Sequence, residues 1–427
     1  MYTCHDRLRF GASDMTRRSS TSFDACAWAT TFALVGGLAH CGSSTSSSGP
    51  SGTYPAFQPN IGQIVNQGGT LLTSPKIVTV TWQSDPNAST FEAFGDKIGA
   101  SSYWKTAVGQ FGVGAATSGT ANHVRIAKDL AATIEGTDLE TWLLTQLTTA
   151  SSGFPAPDAQ TLYVIYLSPS TELTESGADA CLGSGTTHAQ VQMPDNSWVP
   201  YVFVDGRCEA SLSAVDSTTG QASHEISEAV TNPLSFTSPG VTGFDPQHQA
   251  WAQVADNEIG DICELFPDAF FKGPTDLPFE LQRLWSNTAA AAGHNPCAPE
   301  PSDPYFNVTP LNMQTVSAQI GNAPMGVMTL GYTIPVGSTS TFTAGYYSDA
   351  PTGYWDVKAV EGTFVTPATT PHLTVSLKGA TGLNGDIVEV TVTVNSAPAS
   401  GNAIVLTLES SAPGHTTHWV PILIGTQ

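Results

Sequence analysis

The stretch Gln-Ala-Ser-His-Glu-Ile-Ser-Glu-Ala-Val-Thr-Asn-Pro, residues 221–233, is the part of the chain around which the rest is organised. Its apolar residues recur at spacings of three and four, which predicts a helix with a stripe of Ala222, Ile226, Ala229 and Val230. The helix is expected to begin near the N-cap candidates at 217–219 and to end before Pro233. On such a helix His224 and Glu228, four residues apart, lie on the same face.

The pattern His224-Glu225-x-x-Glu228 resembles the zincin arrangement His-Glu-x-x-His. In that arrangement two helix side chains hold zinc and the intervening Glu is the general base. Here a carboxylate occupies the second ligand position. The pattern predicts a metal site with His224 and Glu228 as ligands and Glu225 as the catalytic base. The competing interpretation is a solvated helix face whose charges contact nothing.

A zincin helix supplies only two ligands, so a third is expected from another segment. Residues 256–263, Asp-Asn-Glu-Ile-Gly-Asp-Ile-Cys, place Glu258 and Asp261 three residues apart, on one face if the segment turns helically. Either acid is a candidate ligand, and the other would then orient His224. His248 is a rival ligand and ranks lower, because its neighbours Pro246 and Gln247 are typical of an exposed loop.

Composition limits the function classes. The 427 residues include 14 Lys and Arg against 36 Asp and Glu, a formal net charge of −22, so no basic surface is expected to follow a nucleic-acid backbone. Forty Gly, 29 Pro and only 12% charged residues favour a structure rich in loops and strands.

The N-terminus predicts export. Arg17 and Arg18 precede an apolar run at 25–39 that is too short to span a bilayer comfortably, and Cys41 follows it. We interpret 1–41 as a lipoprotein-type signal with Cys41 as the lipid-bearing residue, and 42–70 as a flexible tether. The protein is therefore expected outside the cytoplasm, secreted or at the cell surface, with membrane contact only through that lipid.

Four further cysteines agree with an oxidising compartment: Cys181, Cys208, Cys263 and Cys297. Connectivity does not follow from spacing, but sequence neighbourhood favours pairing within 181–208 and within 263–297. The absence of a Cys-x-x-Cys pair argues against a thiolate zinc site.

Strand and helix patterns alternate from 71 to 300. Strands are expected at 76–82, 161–167 and 201–204, and helices at 91–98, 103–111 and 138–147. This layout predicts an α/β (α+β) domain built on one mixed sheet, similar to a zincin-like domain.

The texture changes after residue 301. Short alternating segments recur between Gly, Asn, Ser and Pro, as at 340–344, 373–377, 387–394 and 403–408. Residues 302–427 are therefore predicted to be an all-β, immunoglobulin-like sandwich. His415 and His418 are expected at its surface or in turns.

Residues 223–233, Trp251 and 258–263 together resemble the exordium (phosphate-induced protein) family. Further segments match that layout in order, at 77–82, 103–106, 162–167 and 295–297. The resemblance covers about residues 70–300. It implies an extracellular protein, in plants linked to growth and the cell wall. The histidine and every acid of the motif are present, which favours a working metal site.

These observations predict a secreted or lipid-anchored metal-dependent hydrolase, most simply a metalloprotease. Zinc is the expected ion; the acid-rich shell also suits Mn²⁺ or Ca²⁺. Glu225 would take the proton from metal-bound water, which attacks a carbonyl in a peptide, protein or cell-wall substrate. We expect a monomer.

The sequence is also compatible with two other function classes. The first is a non-catalytic surface protein for binding or adhesion with a structural metal. The second, weaker, is a glycosidase using Glu225 or Glu258. His188 is expected to be a loop residue, with a position that lines the cleft as the alternative.

Overall fold

The computed structural model describes residues 52–182, 185–208, 211–255, 257–319, 326–363 and 366–427. The export signal and Cys41 lie outside the described residues.

Residues 64–298 contain all five α-helices of the described chain and fourteen strands. The helices are α1 (Ala88–Ile98), α2 (Ser102–Ala107), α3 (Gly136–Thr148), α4 (Ala214–Thr231) and α5 (Asn287–Ala292). The first strands are β1 (Ile64–Asn66), β2 (Lys76–Trp82), β3 (His123–Ile126), β4 (Thr133–Glu135), β5 (Thr161–Tyr166), β6 (Glu172–Glu175) and β7 (Ala178–Asp179). The others are β8 (Thr187–Gln192), β9 (Trp198–Val204), β10 (Val241–Phe244), β11 (Phe270–Lys272), β12 (Glu280–Gln282), β13 (Leu284–Trp285) and β14 (Cys297–Ala298).

The main sheet of this part has five strands in the order β3-β2-β5-β9-β8. All pairings are parallel except that of β8, the edge strand, which runs antiparallel to β9. The central strands β2 and β5 are buried almost throughout, as continuous apolar runs are in a sheet covered on both faces. The mixed sheet expected from the sequence is therefore present, and the strand expected at 76–82 has those bounds.

Helix α4 crosses beside the β8–β9 edge of the sheet and is buried from Ser217 to Thr231 except at Gln221. It begins earlier than the expected 217–219, because Ser213 is the N-cap and its Oγ accepts from the backbone N–H of Asp216 at 3.2 Å. Gly220 lies within the helix: a Cβ there would lie 2.8 Å from the ring of Phe270. The glycine is thus explained by close packing.

The described residues between 306 and 425 form ten strands. They are β15 (Phe306–Pro310), β16 (Gln314–Ala318), β17 (Val327–Thr333), β18 (Thr339–Ser348), β19 (Trp355–Glu361), β20 (Leu373–Lys378), β21 (Thr381–Gly382), β22 (Ile387–Val394), β23 (Ala403–Ser411) and β24 (His418–Gly425). One sheet has the order β15-β18-β22-β20 and the other β16-β17-β24-β23-β19-β21. The structure is thus mixed α+β, mostly strand, and fits an α+β plus β-sandwich class.

Trp419 joins this strand-rich part to the first. Its ring stacks on Phe266 with centroids 5.2 Å apart and planes 5° apart, and it lies 5.3 Å from the ring of Trp251. All three belong to, or pack against, one hydrophobic core that runs from Ile61 to Ile424. The two parts are therefore packed against one another rather than separated by a linker.

His418, expected at the surface or in a turn, is instead buried in β24 at 6% exposure. Its ring lies 4.6 Å from that of Tyr305, edge to face. Burial lowers the pKa of His418 to about 3, so the side chain is a neutral core residue. His415 is partly exposed and lies 3.4 Å from Asp303.

The segment expected to be a flexible tether is packed from residue 53 onward. The backbone N–H of Ala56 donates to Asn384 at 3.0 Å, that of Asn60 donates to Thr309 at 3.0 Å, and β1 pairs with β10. Ile61 and Ile64 are buried. The tether expectation is wrong for this stretch, because hydrogen bonds and apolar burial hold it against both parts of the chain.

Both favoured disulfides are present, Cys181–Cys208 and Cys263–Cys297. The second joins the segment after Asp261 to β14, across 34 residues. No helix in the described part of the chain combines the length and the hydropathy needed to cross a bilayer.

We expect Trp419→Ala to lower the free energy of unfolding by about 3–5 kcal/mol, because it leaves a cavity between the rings of Phe266 and Trp251. Denaturant unfolding followed by fluorescence measures this. Ile387→Ala, at a strand residue that is 48% exposed, is the matched control and should change stability by less than about 0.5 kcal/mol. Equal effects of the two changes would contradict a shared core.

Candidate metal centre

Helix α4 places His224, Glu225 and Glu228 in the interior, where they are 4%, 6% and 2% exposed. The sequence predicted one polar helix face, and the structure buries that face against other polar side chains. Among the described residues none of these groups pairs with a lysine or arginine. The solvated-face interpretation is therefore wrong.

The tautomer of His224 is fixed by Gln282 on β12. The Gln282 amide nitrogen donates to the carbonyl of Gly260 at 3.0 Å, so its Oε1 accepts from His224 Nδ1, also at 3.0 Å. His224 Nε2 is then left with its lone pair. A histidine whose second nitrogen is held in this way is typical of metal ligands.

Two carboxylates meet that nitrogen. Glu228 Oε1 accepts from the N–H of Gly260 at 2.7 Å, which leaves Oε2 at 3.1 Å from His224 Nε2. Asp261 Oδ2 accepts from the N–H of Glu258 at 2.9 Å, which leaves Oδ1 at 3.8 Å from the same nitrogen. One ligand atom from each of the three residues lies within 4.8 Å of the others. Such separations suit donors that each sit about 2.0–2.2 Å from one ion.

Gly260 shapes the wall of this group. A Cβ at that position would lie 2.6 Å from His224 Nε2 and 2.8 Å from Glu228 Oε1. Any side chain there would therefore collide with both donors. The backbone approaches the donors closely enough that only glycine fits.

Glu258 lies on the other side of Glu228. Its Oε1 accepts from the side-chain amide of Asn232, and its Oε2 lies 3.5 Å from His188 Nε2. His188, Glu228 and Glu258 form a second group whose ligand atoms lie within 4.8 Å of one another. The sequence left Glu258 and Asp261 as alternatives for one role, and the structure places each of them in a different group around Glu228.

His188 was not predicted from the sequence to be a metal ligand or catalytic residue. It was expected in a loop, yet it lies on the edge strand β8 with its side chain 6% exposed. Its Nδ1 is 3.1 Å from Glu225 Oε2, whereas Thr186 donates to Glu225 Oε1 at 2.8 Å. No helical or short-range spacing links His188 to the motif, so only the pairing of β8 with β9 brings it there.

His248, the rival ligand, belongs to neither group. Its Nδ1 lies 2.8 Å from both oxygens of Asp245 and its Nε2 lies 2.8 Å from Asn60 Oδ1. These contacts fix the start of the packed segment described above.

The charged groups of the cluster shift one another's pKa values. Burial by itself lowers the pKa of His224, but Glu228, Glu225 and Glu264 outweigh it and raise that pKa well above the ordinary value. Burial, together with the charge of Glu228, raises the pKa of Asp261 well above its usual range. In the metal-free protein, protons therefore take the place of a missing positive charge.

The donor set itself fits a divalent cation. It offers imidazole nitrogens and carboxylate oxygens, each with its remaining atom fixed by a neighbour, and such mixed N/O sets suit zinc or manganese. Zinc itself remains a prediction from the pattern.

Comparison with known proteins adds no family. No family model and no curated protein matches the chain. Among solved structures, a chimeric titin Z1Z2 matches 28% of this chain and 99% of its own, at 12% identity and a TM-score of 0.16. A protease of Vibrio cholerae, VesB, matches 44% of this chain and 68% of its own, at 14% identity and a TM-score of 0.16. A Bacteroides ovatus GH5 xyloglucanase matches 23% of this chain and 17% of its own, at 15% identity and 0.15.

These TM-scores are too low to support a shared fold or function. The resemblance to the exordium family therefore stays a prediction from the sequence.

The pKa shifts give a pH test. The pKa values of His224, His188 and Asp261 are raised in the folded, metal-free protein, so the stability they contribute is full at low pH and is lost as pH rises through those values. Metal ions compete with the same protons. As pH rises above about 6.5, the ordinary pKa of histidine, we expect the stability of the metal-free protein to fall, by up to about 1.4 kcal/mol per pH unit for each proton released.

Thermal melts of metal-free and zinc-loaded protein across this range measure the effect. In the wild type, the rise in Tm on adding zinc should grow with pH. In His224→Ala, this rise in Tm should be smaller than in the wild type. A zinc effect that is constant with pH would contradict the linkage.

Proposed function

We propose that the protein is a metal-dependent hydrolase with a zincin-like helix, secreted or held at the cell surface, and that its substrate is a peptide bond. The observation that carries this proposal is the convergence of His224 Nε2, Glu228 Oε2 and Asp261 Oδ1 next to Glu225 on α4.

His224, Glu228 and Asp261 would hold the ion. A divalent ion there supplies Lewis acidity, which polarises a carbonyl and makes water a better nucleophile. The three donors are fixed by Gln282, by Gly260 and by the backbone of Glu258 respectively, so the site is organised before the ion arrives.

Glu225 is the proposed proton acceptor. Burial alone would raise its pKa, but the His188 hydrogen bond, with the charges of His224 and His188, holds it below the usual range. The carboxylate is therefore ionised at neutral pH. Thr186 and His188 each occupy one of its oxygens and leave further lone pairs to accept a proton from the attacking water.

A peptide or protein substrate, or a cell-wall polymer with amide bonds, is favoured by the pattern itself. Amide hydrolysis needs both a polarised carbonyl and a base within reach, and the His-Glu-x-x-Glu helix brings the two together. The export signal expected at 1–41 and the two disulfides are consistent with work outside the cytoplasm.

A second candidate is a binding or adhesion protein in which the ion is structural. The depth of the donors favours it, because Glu228 is only 2% exposed and Asp261 only 9%. In that case the ion would brace α4 against the segment around Gly260, and the two-sheet part would bind the partner.

We expect Glu225→Gln to lower kcat/KM for peptide hydrolysis by about 10²–10⁴-fold while the zinc content stays unchanged, because the amide accepts no proton. The measurement uses purified protein, casein or a quenched fluorescent peptide library, and metal analysis of the same samples. Chelation should abolish hydrolysis and zinc should restore it.

Glu175→Gln, at an exposed Glu on β6, is the matched control and should leave the rate unchanged. Full activity of Glu225→Gln would refute the catalytic role. If chelation lowered only the thermal stability, with no hydrolysis found for the loaded wild type, the structural-ion candidate would replace the hydrolase.

A further inference from the structure

Two atoms of the second group around Glu228, His188 Nε2 and Glu258 Oε2, have no role in the proposed mononuclear reaction. This group consists of His188, Glu228 and Glu258, which come from β8, from α4 and from the segment after Asn257. Its side chains are 6%, 3% and 18% exposed. Three elements thus deliver buried donors to a point next to the first site.

His188 has the same arrangement as His224. Glu225 is ionised and only accepts, so the 3.1 Å contact has His188 Nδ1 as donor, and the lone pair of the neutral ring lies on Nε2. That buried nitrogen has no hydrogen-bond partner among the described residues. In His224 the corresponding nitrogen faces Glu228 and Asp261; in His188 it faces Glu258.

The gap between His188 Nε2 and Glu258 Oε2 suits a cation in place of the proton that this pair binds in the metal-free protein. The two atoms are 3.5 Å apart, which is long for a hydrogen bond but ordinary for two ligands of one ion. Asn232 holds the other oxygen of Glu258, so the free oxygen keeps its direction. The nitrogen and the oxygen each present a lone pair to the same gap.

Charge gives an independent argument. Glu225, Glu228 and Asp261 are buried, the side chain of Glu258 is 18% exposed, and none of the four pairs with a lysine or arginine among the described residues. In the metal-free protein, bound protons balance part of this charge. When both imidazoles are neutral ligands, one divalent ion balances two of the four carboxylates and two divalent ions balance all four. Uncompensated buried charge is costly, so the second ion is favoured.

We propose that the site is binuclear: a second divalent cation binds His188, Glu228 and Glu258, and Glu228 is shared between the two ions. Glu228 belongs to both groups of donors, because its carboxylate lies within 4.8 Å of ligand atoms of His224 and Asp261 and also of His188 and Glu258. Glu225 orients His188 through Nδ1, as carboxylates do for metal-bound histidines. This inference rests on the first metal site of the proposed function and adds the second ion to it. Paired ions hold both oxygens of a displacement reaction, which suits hydrolysis.

Manganese(II) is the probe, because it accepts the same nitrogen and oxygen donors and is paramagnetic. Purified full-length protein is stripped with a chelator, dialysed against Mn²⁺ and analysed for manganese per chain and by EPR. The wild type should hold two ions with an exchange-coupled spectrum. His188→Ala and Glu258→Gln should each hold one ion with the uncoupled signal of isolated Mn²⁺.

His248→Ala is the matched histidine control and Glu175→Gln the matched acid control; both should keep two coupled ions, since neither residue belongs to the cluster. Thermal melts establish that each variant is folded, and Glu258→Gln keeps the test open if His188→Ala does not fold. One ion or none in the wild type overturns the inference, as do two ions in both site variants. Two coupled ions in a protein that hydrolyses nothing would uphold the binuclear site and refute only the proposed function.

Discussion

The burial of Glu228 beside three other carboxylates is the constraint to which the rest of the first part of the chain is fitted. Three of these four acids are buried and the fourth, Glu258, is 18% exposed, and in the described part of the chain no lysine or arginine contacts them. A fold tolerates such a group only if another cation enters or protons remain bound. Helix α4 is buried on nearly all sides: from Ser217 to Thr231 only Gln221 is partly exposed. Its hydroxyls return to its own backbone, as Ser223, Ser227 and Thr231 donate to carbonyls three or four residues earlier. His224, Glu225 and Glu228 are the ionisable groups of its buried stretch.

The surrounding elements each hold one atom of that cluster. Gln282 on β12 fixes His224, the Gly260 N–H fixes Glu228, and Asn232 at the end of α4 fixes Glu258. The disulfide Cys263–Cys297 ties the acidic segment to β14. Phe266, three residues beyond Cys263, stacks on Trp419 of the two-sheet part. The strand-rich part thus supports the segment that carries Asp261, although none of its described residues belongs to the cluster.

The sequence was sufficient where local pattern and tertiary environment agree. The strands at 76–82 and 387–394 have the expected bounds, because a continuous apolar run suits a doubly covered strand and an alternating one suits a sandwich face. Both disulfides follow the expected neighbourhood. The sequence also placed His224, Glu225, Glu228, Glu258 and Asp261 in one region, since a helix and one later segment carry them all.

The sequence was insufficient where a residue contacts partners that are far away along the chain. His188 reaches the cluster only because β8 pairs with β9 at the sheet edge, and no spacing encodes that pairing. His418 is a polar side chain in apolar surroundings. The sequence of β24 alone therefore did not predict that it is buried against Tyr305. Residues 53–66 were expected to belong to a tether, and hydrogen bonds to Asn384 and Thr309 hold them in place. The separate roles of Glu258 and Asp261 depended in the same way on Asn232 and on backbone donors.

Zinc K-edge anomalous diffraction from crystals of the zinc-loaded protein tests the metal centre most directly. The account predicts a strong peak about 2.0–2.2 Å from His224 Nε2, Glu228 Oε2 and Asp261 Oδ1. An anomalous map without density at that point, with His224 and Glu228 still in contact as a protonated pair, would contradict it.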